Sequence, residues 1–163
     1  MGKIEITKKV LGICATNCYT VVDTETKEAL IIDPADRADV LIRDWKDKGV
    51  TPTTVLLTHG HFDHIGALAG VKKEYPEIRV YAAAEEKEVM ESPALNLSSS
   101  FGAAFTAQAD IYLEDGAEIE VLGRKCKCLL VPGHTKGGMC YYFPEENVVF
   151  TGDTLFRGSV GRT

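Results

Sequence analysis

The stretch Thr58-His59-Gly60-His61-Phe62-Asp63-His64-Ile65-Gly66 constrains this chain more than any other. It holds three of the four histidines in the sequence, with an aspartate between the second and the third. The apolar run Val55-Leu56-Leu57 leads into it and reads as a short strand of the buried kind. A fold that accepts this order must end a buried strand in a cluster of ligand-type side chains. Imidazole and carboxylate are the usual protein ligands of a borderline metal such as zinc. His59 and His61 are two apart, so on an extended segment they point to one side. Asp63 and His64 come where the chain must leave that extension, and as neighbours they point in different directions, so they can address a second ion. The competing reading is a polar turn whose histidines are satisfied by backbone hydrogen bonds; the crowding of His-x-His-x-Asp-His favours a metal.

The segments around this stretch alternate between strand and helix patterns. Ile4 and Ile6 alternate with polar neighbours, and Cys18–Val22 and Ala29–Ile32 flank a polar connection, which predicts a hairpin. Asp33-Pro34 ends the second of these strands, because Pro34 has no N–H for a ladder. Residues 36–48 switch to helical period, with Ala38, Leu41, Ile42 and Trp45 on one face, Asp36 as N-cap and Gly49 as the stop. Trp45 reads as core. A second helix is expected from Ile65 to Tyr75, then a strand from Ile78 to Ala82, then a mostly solvated helix from Ala83 to Glu91. Residues 92–109 are small and polar, with Phe101 and Phe105 embedded. A loop of this length is often functional; it is either a wall of a substrate site or a surface loop anchored by its two phenylalanines.

From Asp110 the pattern is β again, through Ile111–Leu113, Ile119–Leu122 and Lys125–Val131 to a last hairpin, Met139–Phe143 and Asn147–Phe150. Cys126 and Cys128 share a face of their strand and read as small inward residues, since a soft-metal site needs more thiolates at suitable spacing. The fourth histidine, His134, lies in Val131-Pro132-Gly133-His134-Thr135, and Thr151-Gly152-Asp153-Thr154 puts an acid just after the last strand.

Bulk properties narrow the class. A length of 163 residues predicts one domain, 1–163. A net charge of −6 argues against a nucleic-acid or anionic-membrane partner, both of which want a basic face. No apolar run approaches transmembrane length, and the N-terminus lacks the apolar core of a signal peptide. Five cysteines without scaffold spacing suit a reduced, cytoplasmic protein.

Four blocks together resemble the metallo-β-lactamase superfamily and, within it, the type II glyoxalase-like (hydroxyacylglutathione hydrolase-like) hydrolases. They are Thr16-Asn17-Cys18-Tyr19 with Asp33-Pro34, the stretch from Thr58 to Gly66, Pro132-Gly133-His134-Thr135, and Gly152-Asp153-Thr154-Leu155-Phe156 running to Gly161-Arg162. The resemblance implies an αββα sandwich. It implies that His59, His61 and His134 hold one metal, that Asp63 and His64 belong to a second, and that Asp153 bridges the two. Two Zn2+ ions are implied for the complete protein, with iron or manganese as alternatives. Arg162 falls where such relatives often carry a basic residue that meets a substrate carboxylate. Flavodiiron-type relatives carry Glu at the second motif histidine, so His61 speaks for a hydrolase.

The chain departs from the pattern in two places. Ala35 stands where relatives usually have Gly, which should affect only the turn. The sequence stops at Thr163, before the further histidine that completes the second metal site in the family, so a chain truncated at its C-terminus and lacking the last elements of the second half is expected. Two ions a few ångströms apart can bind one hydroxide at neutral pH and polarise a carbonyl. With every His engaged by metal, Asp63 is the motif residue left to move a proton. Such a site suits a leaving group that departs easily, and a thiolate, with a conjugate-acid pKa of ~8.5, needs little acid help. The expected substrate is therefore a small acyl-thiol or ester, cleaved through a metal-bound hydroxide. The alternatives are a mononuclear iron oxidoreductase of the persulfide dioxygenase kind, using His59, His134 and Asp153, and an inactive truncated module.

Overall fold

The computed structural model describes residues 3–101, 104–131 and 138–151. The first half builds one six-stranded sheet in the order β1-β2-β3-β4-β5-β6, from Ile4–Leu11, Thr16–Asp23, Glu28–Ile32, Thr51–Leu56, Arg79–Ala83 and Ile111–Leu113. The β1–β2–β3 meander is antiparallel, while β3 to β6 run parallel. Parallel neighbours need a crossover connection. Helix α1 (Ala38–Lys48) supplies it between β3 and β4; α2 (Phe62–Ile65) and α3 (Leu68–Glu74) supply it between β4 and β5. A 3-10 turn, Ala84–Glu86, leads into α4 (Lys87–Met90), and a second turn, Ser98–Phe101, lies in the long connection to β6. The second sheet, in the order β10-β9-β8-β7, is antiparallel and comes from Glu118–Val121, Arg124–Leu130, Met139–Phe143 and Val148–Phe150.

Period-two alternation divides the core into two layers. Ala29, Ile31, Val55 and Val80 face the helices and pack with Leu41, Trp45, Leu68 and Val71. Leu30, Ile32, Leu56 and Leu113 face the other way and pack against Cys126, Cys128, Tyr141 and Phe150 of the second sheet. Strand β3 is buried on both sides, which explains its unbroken apolar run. Trp45 is fully buried, as its place on the helix predicts, and its indole N–H donates to Thr20 Oγ1 at 3.2 Å. Cys126 and Cys128 do face inward between the sheets, where the hydrogen bond with Cys128, and then burial, pushes the Cys126 thiol up.

Three local expectations are corrected. The N-cap of α1 is Arg37, in the left-handed region at φ 54°, and Asp36 instead accepts the Arg37 backbone N–H at 2.8 Å. The helix expected from Ile65 to Tyr75 is two helices. It breaks at Gly66, where a Cβ would collide with the Ala35 carbonyl, and the chain resumes after Ala67 N–H donates to Pro34 O at 2.9 Å. Close approach of two loops, which local period does not report, decides that break. The helix expected from Ala83 to Glu91 is a 3-10 turn followed by α4; Glu85, Lys87, Glu88 and Glu91 are exposed as expected, but Glu86 and Met90 are fully buried. Met90 packs in the helix-side core, and Glu86 is held by a backbone hydrogen bond described below.

Candidate metal centre

The parallel strands β3 and β4 end side by side, and their C-terminal ends bring Asp33 and Thr58 together. Thr58 donates twice to Asp33, from its N–H to Oδ1 at 2.8 Å and from its hydroxyl to Oδ2 at 2.6 Å. Asp33 has φ 53°, a left-handed conformation that an L-residue adopts at some cost and that short polar side chains tolerate best. The turn aims its carboxylate at a second partner, His64 Nδ1, at 2.8 Å. An acceptor at Nδ1 fixes the neutral ring with its proton there and its lone pair at Nε2, the second-sphere arrangement that orients metal-ligating histidines. His64 Nε2 lies 3.4 Å from Asp63 Oδ2.

The backbone between the ligand-type residues is held as firmly. The Gly60 N–H donates to the buried Glu86 Oε1 at 2.6 Å. A Cβ at Gly60 would stand 2.6 Å from Met90 Cγ and 3.1 Å from Glu86 Cγ, so only glycine fits between His59 and His61. His61 is extended at φ −67°, ψ 150° and opens α2, which turns Asp63 and His64 back toward His59. This is the change of direction that the sequence calls for at that point. The long connection contributes too: the Phe62 N–H donates to the Asn96 carbonyl at 2.7 Å, and Phe62 stacks on Phe101 with centroids 4.5 Å apart. Buried Asn96 anchors that loop through its amide, to Met90 O at 3.3 Å and Phe105 O at 3.0 Å. Residues 92–101 are therefore both self-packed and in contact with the histidine stretch.

The ligand atoms converge. One atom each from His59, Asp63 and His64 all lie within 4.8 Å of one another. The rings of His59 and His64 are 3.8 Å apart, and His61 stands beside them with its centroid 5.0 Å from that of His59. All three imidazoles are buried, and Asp63 is half-buried, with Oδ2 accepting the Thr16 hydroxyl at 2.9 Å. A trio of two imidazoles and a carboxylate at this spacing suits a borderline divalent ion, and the donor set contains no thiolate. His134, Asp153 and Arg162 lie outside the described residues.

Four contributors were not assigned a role from sequence. Thr16 and Asp33 sit in blocks that the sequence marks, so their positions were visible although their partners were not. Glu86 and Asn96 carry no local signal; an acid after a strand and an amide in a polar loop are ordinary until the fold buries them.

Residues 11–163 match the metallo-beta-lactamase superfamily, and the chain belongs to that family. It is 36% identical over 155 residues to a probable metallo-hydrolase of Bacillus subtilis, YqgX, covering 94% of this chain and 72% of the relative. It is 32% identical over 150 residues to a hydroxyacylglutathione hydrolase of a Synechococcus strain; that match covers 88% of this chain but only 52% of the relative, so the chain spans about half that protein's length. Among solved structures, the B3 metallo-beta-lactamase BLEG-1 superposes with a TM-score of 0.87 at 38% identity, over 98% of this chain and 77% of its own. TTHA1623, solved in a di-iron-bound form, superposes at 0.76 and 34% identity, over 96% and 76%. The two packed sheets and flanking helices are thus the mixed α/β fold of this superfamily.

Proposed function

We propose that this metallo-hydrolase cleaves a small thioester or ester. One observation carries the reading: His59, Asp63 and His64 present ligand atoms within 4.8 Å of one another, while Asp33 locks the His64 ring. His61, His134 and Asp153 complete the ligand set in this reading, and both metal positions draw on one cluster. Zinc is the proposed metal; the same nitrogen and oxygen donors also accommodate iron or manganese. A bound metal supplies a nucleophilic water at neutral pH and polarises the carbonyl to be attacked. The chain's own residues do the rest. Asp63 Oδ2, steadied by the Thr16 hydroxyl, is placed to take and hold a proton, and Asp33 with Thr58 keeps His64 in one tautomer. His59 and His64 face each other in this cluster, so neither is placed to protonate a poor leaving group. A thiolate, with a conjugate-acid pKa of ~8.5, leaves with less help than an amine at ~10.4. The relative named as a hydroxyacylglutathione hydrolase supports the same substrate class. In this reading the partner is a small acyl-thiol, not nucleic acid or membrane; no helix among the described residues is long and apolar enough to cross one. The five cysteines, none of them in a disulfide among the described residues, support a reducing, cytoplasmic setting in this reading.

The test combines elemental analysis with release of free thiol from acyl-thiol substrates. Metal bound near two equivalents, turnover, and its loss on chelation with recovery on added zinc are expected. A metal-replete preparation that turns over neither thioester nor ester overturns the reading. Iron in the protein with oxygen uptake on a glutathione persulfide replaces it with the dioxygenase.

A further inference from the structure

On that hydrolase reading, we infer that the cleft between the β1–β2 turn and the histidine stretch is the acyl pocket, and that it selects a short, uncharged, apolar acyl group. The cleft has a volume of about 250 Å³ and is walled by Leu11 at the end of β1, Ile13 of the turn, Phe62 and Phe105 of the long connection. Asp63 opens onto it from the candidate metal centre, so whatever fills the cleft touches a proposed ligand. Pockets for drug-sized ligands run from about 300 Å³ upward, so this one takes a fragment of a few carbons. Ile13 is 76% exposed at the tip of its turn. An aliphatic side chain left in water beside a polar cluster gains by covering an apolar group. Phe62 closes the opposite side and is itself backed by Phe101.

Charge sets the second half of the specificity. Asp36 also lines the cleft, packed so close to the turn that a Cβ at Gly12 would be 3.2 Å from its Oδ2. The neighbouring cation, Arg37, is turned away onto Asp39, with contacts of 3.1 Å from both Nε and an Nη nitrogen. An acyl group ending in a carboxylate therefore meets the like charge of Asp36, whereas an alkyl chain meets Leu11, Ile13 and Phe62.

The experiment compares the metal-loaded protein on acetyl, butanoyl and succinyl thioesters of one thiol, alongside calorimetric binding of the acetate and butanoate products. Each methylene entering an apolar site is worth ~0.8 kcal/mol, or about fourfold. Butanoyl, with two more methylenes, is expected to exceed acetyl by about fifteenfold in kcat/KM, and succinyl to fall at least tenfold below butanoyl. Ile13→Ser should reduce the butanoyl-to-acetyl ratio, and Asp36→Asn should raise succinyl relative to butanoyl, an effect that shrinks with added salt. Turnover with equal acetyl and butanoyl rates, or ratios unmoved by both substitutions, overturns the pocket while leaving the hydrolase reading in place. Absent turnover with chain-length-dependent product binding, steeper for wild type than for Ile13→Ser, overturns the hydrolase reading and keeps the pocket. Absent turnover with flat product binding overturns both.

Discussion

Strand β2 carries a polar cluster at each end, and the two ends have opposite designs. They are seven residues apart on one extended strand, about 23 Å by the usual rise. At the far end Asp23 meets Arg124, which is 1% exposed and reaches it from the second sheet. Arg124 donates to Asp23 Oδ2 at 2.8 Å, to Glu146 Oε2 at 2.7 Å and to the Leu122 carbonyl at 2.7 Å. Asp23 also accepts the N–H groups of Glu25 and Thr26 and so shapes the β2–β3 turn. The chain supplies its own cation, Arg124, shared between the carboxylates of Asp23 and Glu146, so this end is closed. At the near end Thr16 donates to Asp63, which lies 3.4 Å from His64, and His64 in turn is held by Asp33 together with Thr58. The contacts of Asp33 and Asp63 among the described residues come from hydroxyls, a backbone N–H and an imidazole. Two carboxylates arranged this way suit an external cation. A buried charge cluster is therefore not in itself a sign of function; the sign is whether the chain brings its own counter-ion.

That contrast can be broken at either end. Replacing His59 by Ala should cost the largest factor, at least a thousandfold in kcat/KM for the acyl-thiol, with little change in melting of the metal-free protein. A comparable loss of metal-free stability would move His59 to the structural side of the comparison. Arg124→Ala should do the reverse. Removing one partner of a buried ion pair costs roughly 3 kcal/mol, read as a lower midpoint in denaturant, while metal stoichiometry stays at the wild-type value. Asp33→Asn should weaken metal binding about 10- to 100-fold, the usual range for a lost second-sphere partner, measured by competition with a chromogenic chelator. Gly60→Ala should also weaken it, because the new Cβ must displace Met90 or Glu86; wild-type affinity in that variant would show that the backbone between the histidines has slack.

The smallest expected effect is on acid stability. The Arg124 hydrogen bond, chiefly, lowers the Asp23 pKa from an ordinary 3.8 to about 2. A carboxyl with a depressed folded pKa stabilises the protein above its unfolded pKa and loses that contribution as pH falls through the folded one. The stability gap between wild type and Asp23→Asn should therefore be constant above about pH 4 and narrow toward pH 2. A gap independent of pH across that window would mean that Asp23 acts through its turn hydrogen bonds and not through its charge.

The comparison also separates what local pattern reveals from what it hides. Period and breakers suffice for the β2–β3 hairpin, for α1 with Trp45 inward, and for the strand that delivers His59, because each depends on neighbours along the chain. They fail at Gly66, at Glu86 and at the N-cap of α1, where a second segment approaches and decides the conformation. Residue identity alone made the near end of β2 visible: three imidazoles and an acid crowded into six positions are rare without a metal. The far end left no such mark, since Asp23 and Arg124 are 101 residues apart and each is unremarkable in its own segment.

The sequence by itself determined which ligand-type side chains crowd together, the metallo-β-lactamase resemblance and the order of strands and helices through most of the first half. Tertiary structure alone decided that Asp33 and Thr58 meet across parallel strands to lock His64, that Glu86 and Asn96 hold the backbone of the histidine stretch, and that Arg124 closes the opposite end. The reason is chain separation. Donor type and period are written in adjacent residues, whereas a hydrogen bond between residues 26, 31 or 101 positions apart exists only once two layers have packed and excluded the water that would otherwise take its place.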